Sequence, residues 1–154
     1  MPISIQALVK EINPEKTILL FGAGASLPSG APSVGELMEH LSNHIKVPTD
    51  GYSFDEYCSL FEQKTDRKKL VQTIREKFRN LQPTRGLLNI PLFDWHSLYT
   101  TNYDDLLERS YSKKDRPHFA YSSNFDFGNR PGPNHTEIFK LHGTVHLDIS
   151  DGHL

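Results

Sequence analysis

Apolar residues recur along this chain at two periods, and the switches between them lay out its elements. Ile5, Leu8, Val9 and Ile12 fall at helical spacing, and Asn13-Pro14 ends that helix. Residues 17–21 (TILLF) are an uncharged run, which predicts a strand covered on both faces, and they lead straight into GAGASLPSGAPS. Ser33 with Glu36 makes a capping box, after which Val34, Leu37, Met38, Leu41 and Ile45 trace one face of a helix. Residues 46–51 read as a turn. Ser53 with Glu56 offers a second capping box, continued by the apolar stripe Phe54, Tyr57, Cys58 and Phe61. Leu70, Val71, Ile74, Phe78 and Leu81 predict another helical face before Pro83. The middle third is therefore helical and lies between strand signals.

Residues 84–92 predict a short helix, 96–101 a second strand, 103–109 a helix, 118–121 a third strand, and 136–141 (TEIFKL) a fourth that feeds His142-Gly143. The stretch SSNFDFGNRPGPNH between the last two strands is too rich in Asn, Gly and Pro for regular structure. This order implies an α/β fold, Rossmann-like, with a mostly parallel sheet, helices on both faces and a helical insertion at about 46–83. A doubly wound nucleotide-binding domain usually carries about six strands. The sequence stops shortly after the fourth, so residues 1–154 are expected to be the N-terminal part of a larger domain, incomplete at the C-terminus.

Composition narrows the partners. The chain is 36% apolar and 23% charged, ordinary for a soluble domain. With 17 Lys and Arg against 19 Asp and Glu, and no block of like charge, it has neither a nucleic-acid track nor a polybasic membrane patch. Cys58 is the single cysteine, which excludes an internal disulfide and a multi-cysteine zinc site, and points to a reducing compartment with Cys58 as a small buried residue. No apolar run approaches the roughly 20 residues that span a bilayer, and the first residues lack a signal-type core, so a cytoplasmic location is expected.

The chemistry gathers where predicted strands end. After the first comes Gly22-Ala23-Gly24-Ala25-Ser26, small enough for backbone N–H groups to approach a pyrophosphate, with the start of a following helix adding partial positive charge. The dinucleotide fingerprint G-x-G-x-x-G requires glycine at position 27, which is Leu27, so a hydride-transfer enzyme is disfavoured. The plainer reading is a tight turn that needs small residues for packing. After the second strand come Thr101, Asn102, Tyr103, Asp104 and Asp105. Asn and Asp there also serve as helix caps, and capping is the preferred role for Asp105. A lone His142 after an apolar strand is by itself more often structural. His40 and His44 stand four apart, but no Glu follows His40 and no third ligand is near in sequence; His142 and His146 share that lack, and no metal is expected. Trp95, Phe54, Phe61 and Phe78 read as core rather than as a cofactor platform. The loop 122–135 reads either as a cover over the nucleotide or as a plain connection.

Residues 22–32, GAGASLPSGAP, resemble the opening motif of the sirtuin family, NAD-consuming enzymes whose phosphate turn has the form GAG-x-S followed by SG-x-P. Thr101-Asn102-Tyr103-Asp104 stands where that family has Gln-Asn-Ile-Asp, and Lys140-Leu141-His142-Gly143 resembles its strand-end His-Gly with the catalytic imidazole. The resemblance runs from about residue 17 to 143. Sirtuin deacylases also carry four zinc cysteines and an Asp-Phe-Arg, where this chain has Ser33-Val34-Gly35, which argues against peptide chemistry. The form of these motifs is more like the sirtuin-like effector domains of bacterial antiphage systems. That resemblance implies an NAD glycohydrolase with NAD as substrate and a sensor domain or partner protein. Gly22, Ala23, Gly24, Ala25, Ser26, Thr101 and Asp104 would hold the nucleotide, with Asn102 and His142 catalytic. A homo-oligomer is expected, without direct nucleic-acid or membrane binding. The competing readings are a non-catalytic NAD or ADP-ribose binding or oligomerisation module and an NAD-dependent protein deacylase.

Overall fold

The structure is a computed structural model and describes residues 3–129 and 131–145. Its strands are short runs lying inside the predicted apolar segments: β1 (Ile18–Phe21), β2 (Ser97–Thr100), β3 (His118–Tyr121) and β4 (Thr136–Lys140). They pair in the order β1-β2-β4-β3, every pair parallel. Helices surround this sheet, giving the Rossmann-like α/β fold that the alternation of elements implied.

Register explains how each face is used. Leu19, Leu98, Ile138 and Ala120 stand side by side across the four strands. They pack with α5 (Arg85–Asn89) and α6 (Leu106–Ser112) in a core that includes Leu87, Leu106, Leu107 and Tyr111. The opposite row is Leu20, Tyr99, Phe139 and Tyr121, in which Phe139 stacks on Tyr99 at 4.7 Å and on Tyr121 at 4.9 Å. Offset stacks of this kind add to the burial of the rings themselves. The row of rings does not extend to β1. Ile18 is 55% exposed and Leu20 70%, so β1, at the sheet edge, is not covered on both faces as its composition predicts. α1 (Ile5–Glu11), capped by Ser4, likewise has no buried residue.

Between β1 and β2, α2 (Val34–Ile45), α3 (Phe54–Lys64) and α4 (Arg67–Phe78) pack on one another through Leu37, Leu41, Tyr57, Phe61, Leu70, Ile74 and Phe78. Both predicted capping boxes form. Ser33 N–H donates to the Glu36 carboxylate at 2.7 Å while Glu36 N–H donates to Ser33 Oγ at 3.2 Å, and Ser53 and Glu56 repeat the arrangement. α4 ends at Phe78 rather than continuing to Leu81, because Arg79 is extended and Asn80 then takes a left-handed φ of 62° that turns the chain. Leu81 instead packs against both cores. The loop after β3, expected to be irregular, contains a 3₁₀ stretch at Asn124–Asn129. The Asp126 carboxylate starts it by accepting from the backbone N–H groups of Ser122 and Ser123. No helix among the described residues is long and apolar enough to cross a membrane.

Candidate functional site

Parallel pairing aligns the strand ends. Phe21 is level with Thr100, and Thr100 with Lys140. Neighbouring strands lie roughly 4.8 Å apart, so the segments beginning at Gly22, Thr101 and Leu141 emerge side by side within about 10 Å. This is the edge at which open α/β sheets hold ligands.

The glycine turn differs from its expected form. Ala23–Ala25 and Leu27–Ser29 are successive 3₁₀ turns, and the first α-helix after β1 begins only at Val34. No α-helix dipole therefore follows GAGAS directly. Ala25 and Ser26 spend their N–H groups on the carbonyls of Gly22 and Ala23, which leaves the leading amides of the turn, at Ala23 and Gly24, as those without such a bond. Neither Gly22 nor Gly24 has a positive φ. At Gly24 an added Cβ would meet nothing within 4 Å, so packing does not demand glycine there. Lack of a side chain keeps the space in front of the turn open.

The second strand end is organised by hydrogen bonds. Asn102 donates both hydrogens of its amide, to the Gly22 carbonyl at 3.1 Å and to Ser26 Oγ at 2.8 Å. Ser26 Oγ donates in turn to Asp104 Oδ2 at 2.7 Å, and Leu106 N–H donates to Asp104 Oδ1 at 3.1 Å. Ser26 is 3% exposed and Asp104 5%, so these bonds form away from water, where an unmade bond is costly. With both donors spent internally, Asn102 retains its carbonyl oxygen as the group open to a ligand. Asp104 is built to orient: its two oxygens hold Ser26 and the start of α6. Asp105 occupies the cap position but makes no side-chain cap bond; it pairs with Arg109 at 2.8 Å. The capping role expected of Asp105 falls to Asp104, and α6 starts at Leu106 rather than Tyr103.

The third segment is tied to the second. Leu141 N–H donates to the Thr100 carbonyl at 2.8 Å, Gly143 turns the chain at φ 74°, and Val145 N–H and Thr144 Oγ1 both donate to the Tyr103 carbonyl, at 3.1 and 3.2 Å. Arg75 of α4 holds the Val145 carbonyl. His142 is left exposed, its ring 6.4 Å from that of Tyr103. Beneath it the side chain of Lys140 is 1% exposed and donates to the Asp104 carbonyl and, at 2.9 Å, to Glu108. A buried ammonium with a carboxylate partner and a carbonyl is a costly arrangement to break. It fixes β4 beneath the Asn102 segment.

Ala23, Ser26, Thr101, Asn102, Asp104 and His142 line one cleft of about 300 Å³, with Leu37, Phe54, Phe78 and Tyr103 among its walls. Gly22, Gly24 and Ala25, expected at the site, are not among the residues that line it. A second hollow of about 310 Å³ shares Phe54, Tyr103 and His142 with the first and adds Asp55, Cys58 and Glu62. Each is near the lower end of the roughly 300–1,000 Å³ typical of ligand sites. Phe54 and Phe78 thus face the cleft as well as the core, contrary to their reading as core alone. Burial pushes the Tyr103 phenol above its ordinary pKa, and burial followed by Asp55 and Glu62 pushes the Cys58 thiol up to about 11. Cys58 is therefore held as the protonated thiol near neutral pH. Sequence reasoning missed Lys140, Arg75, Thr144 and the Tyr103 carbonyl. Only Lys140, a charge directly after the apolar pair Ile138-Phe139 of β4, carried a signal. His146 lies outside the described residues.

Residues 96–151 match the family described as SIR2-like domain, over the segment that carries β2, Asn102 and His142. That match, the parallel sheet and the strand-end cleft together make this part of the chain similar to SIR2-like domains. Among curated proteins it is similar to the NAD(+) hydrolase ThsA of Bacillus cereus (strain MSX-D12), 24% identical over 147 residues. That match covers 92% of this chain and 30% of ThsA, so the chain spans under a third of that relative's length.

Proposed function

We propose that this chain is the NAD-binding part of an NAD glycohydrolase, cleaving the nicotinamide–ribose bond to give nicotinamide and ADP-ribose. The observation that carries the reading is the state of Asn102: its donors are locked by Gly22 and Ser26, and it shares a cleft with the exposed His142. Nicotinamide in NAD is already a cationic leaving group, so the reaction needs no general acid. It needs stabilisation of an oxocarbenium-like ribose and a water delivered to C1′. The Asn102 carbonyl oxygen accepts from a ribose hydroxyl or that water and sets a partial negative charge near the developing cation. As the C1′–N bond breaks and the C1′–O bond forms, His142 takes the proton of the attacking water. The amides at Ala23 and Gly24 hold phosphate oxygens, and Thr101 and Asp104 frame the ribose side. The similarity to an NAD(+) hydrolase supports this substrate. So does the resemblance of the motifs to antiphage effector domains, from which we infer a larger, oligomeric cytoplasmic protein in which a sensor controls NAD depletion.

Mass spectrometry of NAD incubated with the complete, activated protein tests the reading. Nicotinamide and ADP-ribose are expected without any acylated peptide, and Asn102→Ala and His142→Ala are each expected to lose about 10²–10³-fold in turnover while still unfolding cooperatively in thermal melts. Turnover retained in both variants would overturn the site. Tight NAD binding without turnover would favour a binding module instead, and strict dependence on an acylated peptide a deacylase.

A further inference from the structure

Along the sequence His40 and His44 form only a pair, one helical turn apart on α2. The fold supplies what spacing cannot: α4 packs against α2 and brings Glu76 to them. His40 Nε2 lies 3.5 Å from Glu76 Oε2, and one ligand atom from each of His40, His44 and Glu76 lies within 4.8 Å of the other two. Bonds of about 2.0–2.1 Å in tetrahedral array set neighbouring ligands roughly 3.3 Å apart. The His40–Glu76 pair is already near that separation. Glu76 is exposed on a flexible side chain, which can close the remaining gap by rotation.

Two further features prepare these nitrogens. His44 Nδ1 lies 3.0 Å from the His40 carbonyl. A carbonyl only accepts, so the bond requires the proton on Nδ1 and leaves the lone pair on Nε2, the tautomer that binds metal. His40 Nε2 is screened from solvent, and its contact with Glu76 is too long to satisfy it. The charges near His40 are mixed: Lys77, Glu36 and Glu39 line one surface hollow with it, the lysine opposing a cation and the two carboxylates favouring one.

We propose that His40, His44 and Glu76 form a binding site for a divalent transition metal of the zinc class, clipping α2 to α4. Two imidazoles and one carboxylate are a common zinc donor set, with the fourth position left to solvent. Leu37 of α2 and Phe78 of α4 both line the cleft that contains Asn102, so the ion would stiffen one wall of that cleft. The site stands independently of the proposed hydrolysis.

The test is calorimetric titration of the chelator-stripped full chain with zinc chloride, together with thermal melting and the visible ligand-field absorption of Co²⁺. Binding of one ion per chain with a raised melting temperature is expected. His44→Ala and Glu76→Gln, both at exposed positions, should each weaken zinc binding by at least about tenfold and abolish the melting shift and the Co²⁺ bands. Absence of binding by the unsubstituted chain would overturn the proposal. Equal binding by the variants would do the same, since zinc would then be held by other groups.

Discussion

In the helical layer, Leu41, Tyr57 and Phe61 are wholly buried, and they join helices that follow one another in the chain. At the strand ends, Ser26 meets Asp104 across 78 positions, Asn102 meets Ser26 across 76, and Lys140 meets Asp104 across 36. The first region is apolar and short-range, held by burial that has no preferred direction. The second is polar and long-range, held by bonds with fixed direction. Apolar packing tolerates small shifts, whereas a network of single donors and acceptors loses its function when one member is displaced. The molecule therefore keeps stability and chemistry in different places, with Ala31, Leu37, Phe54, Phe78 and Tyr103 as residues that touch both.

The largest effect that would sharpen this division comes from the helical layer. Phe61→Ala, at a fully buried position, is expected to cost about 4 kcal/mol of unfolding free energy, read from urea denaturation. Activity per folded molecule should hold; a change in the intrinsic turnover number would mean that the two regions are not separate. The converse substitution is Ser26→Ala, which removes the link between Asn102 and Asp104. Turnover of NAD is expected to fall about 10–100-fold, mostly in kcat, while stability drops by only about 1–2 kcal/mol. An effect confined to stability would show that the serine only fills space.

The smallest effect concerns the helix starts. Hydrogen bonds from Ser33 and Ser53 hold Glu36 and Glu56 below the ordinary carboxylate range in the folded chain. In the unfolded chain both titrate near ~4.3, so as pH falls the unfolded state takes up protons first. Their contribution is complete above that value and is lost as pH drops through the folded-state pKa values. Amide exchange in the first turns of α2 and α3 should accelerate over this acid window, and Ser33→Ala with Ser53→Ala should remove the pH dependence. An unchanged acid profile in those variants would assign it to other carboxylates.

Much of this was legible in the chain itself. The apolar runs located all four described strands, and the S-x-x-E patterns located the starts of α2 and α3 to the residue, because those signals involve neighbours within four positions. Misplaced features depend on distant partners. α6 begins late because Asp104 takes the Leu106 N–H and because the Tyr103 carbonyl is engaged by Thr144, 41 positions on in the chain, and by its neighbour Val145. Trp95 keeps its packed role and donates to the Ile90 carbonyl, whereas Phe54 and Phe78 also turn toward a cleft that no local pattern announces.

By itself, then, the sequence determined the order and kind of the elements and the identity of the three strand-end motifs, since periodicity, capping and glycine content act over one or two turns of chain. Tertiary structure decided that β2 lies between β1 and β4. It thereby decided that Asn102 spends its donors on Gly22 and Ser26, that His142 opens into the same cleft, and that Glu76 reaches the His40–His44 pair. Those outcomes depend on strand register and helix packing, which are set by the whole core together rather than by any segment of it.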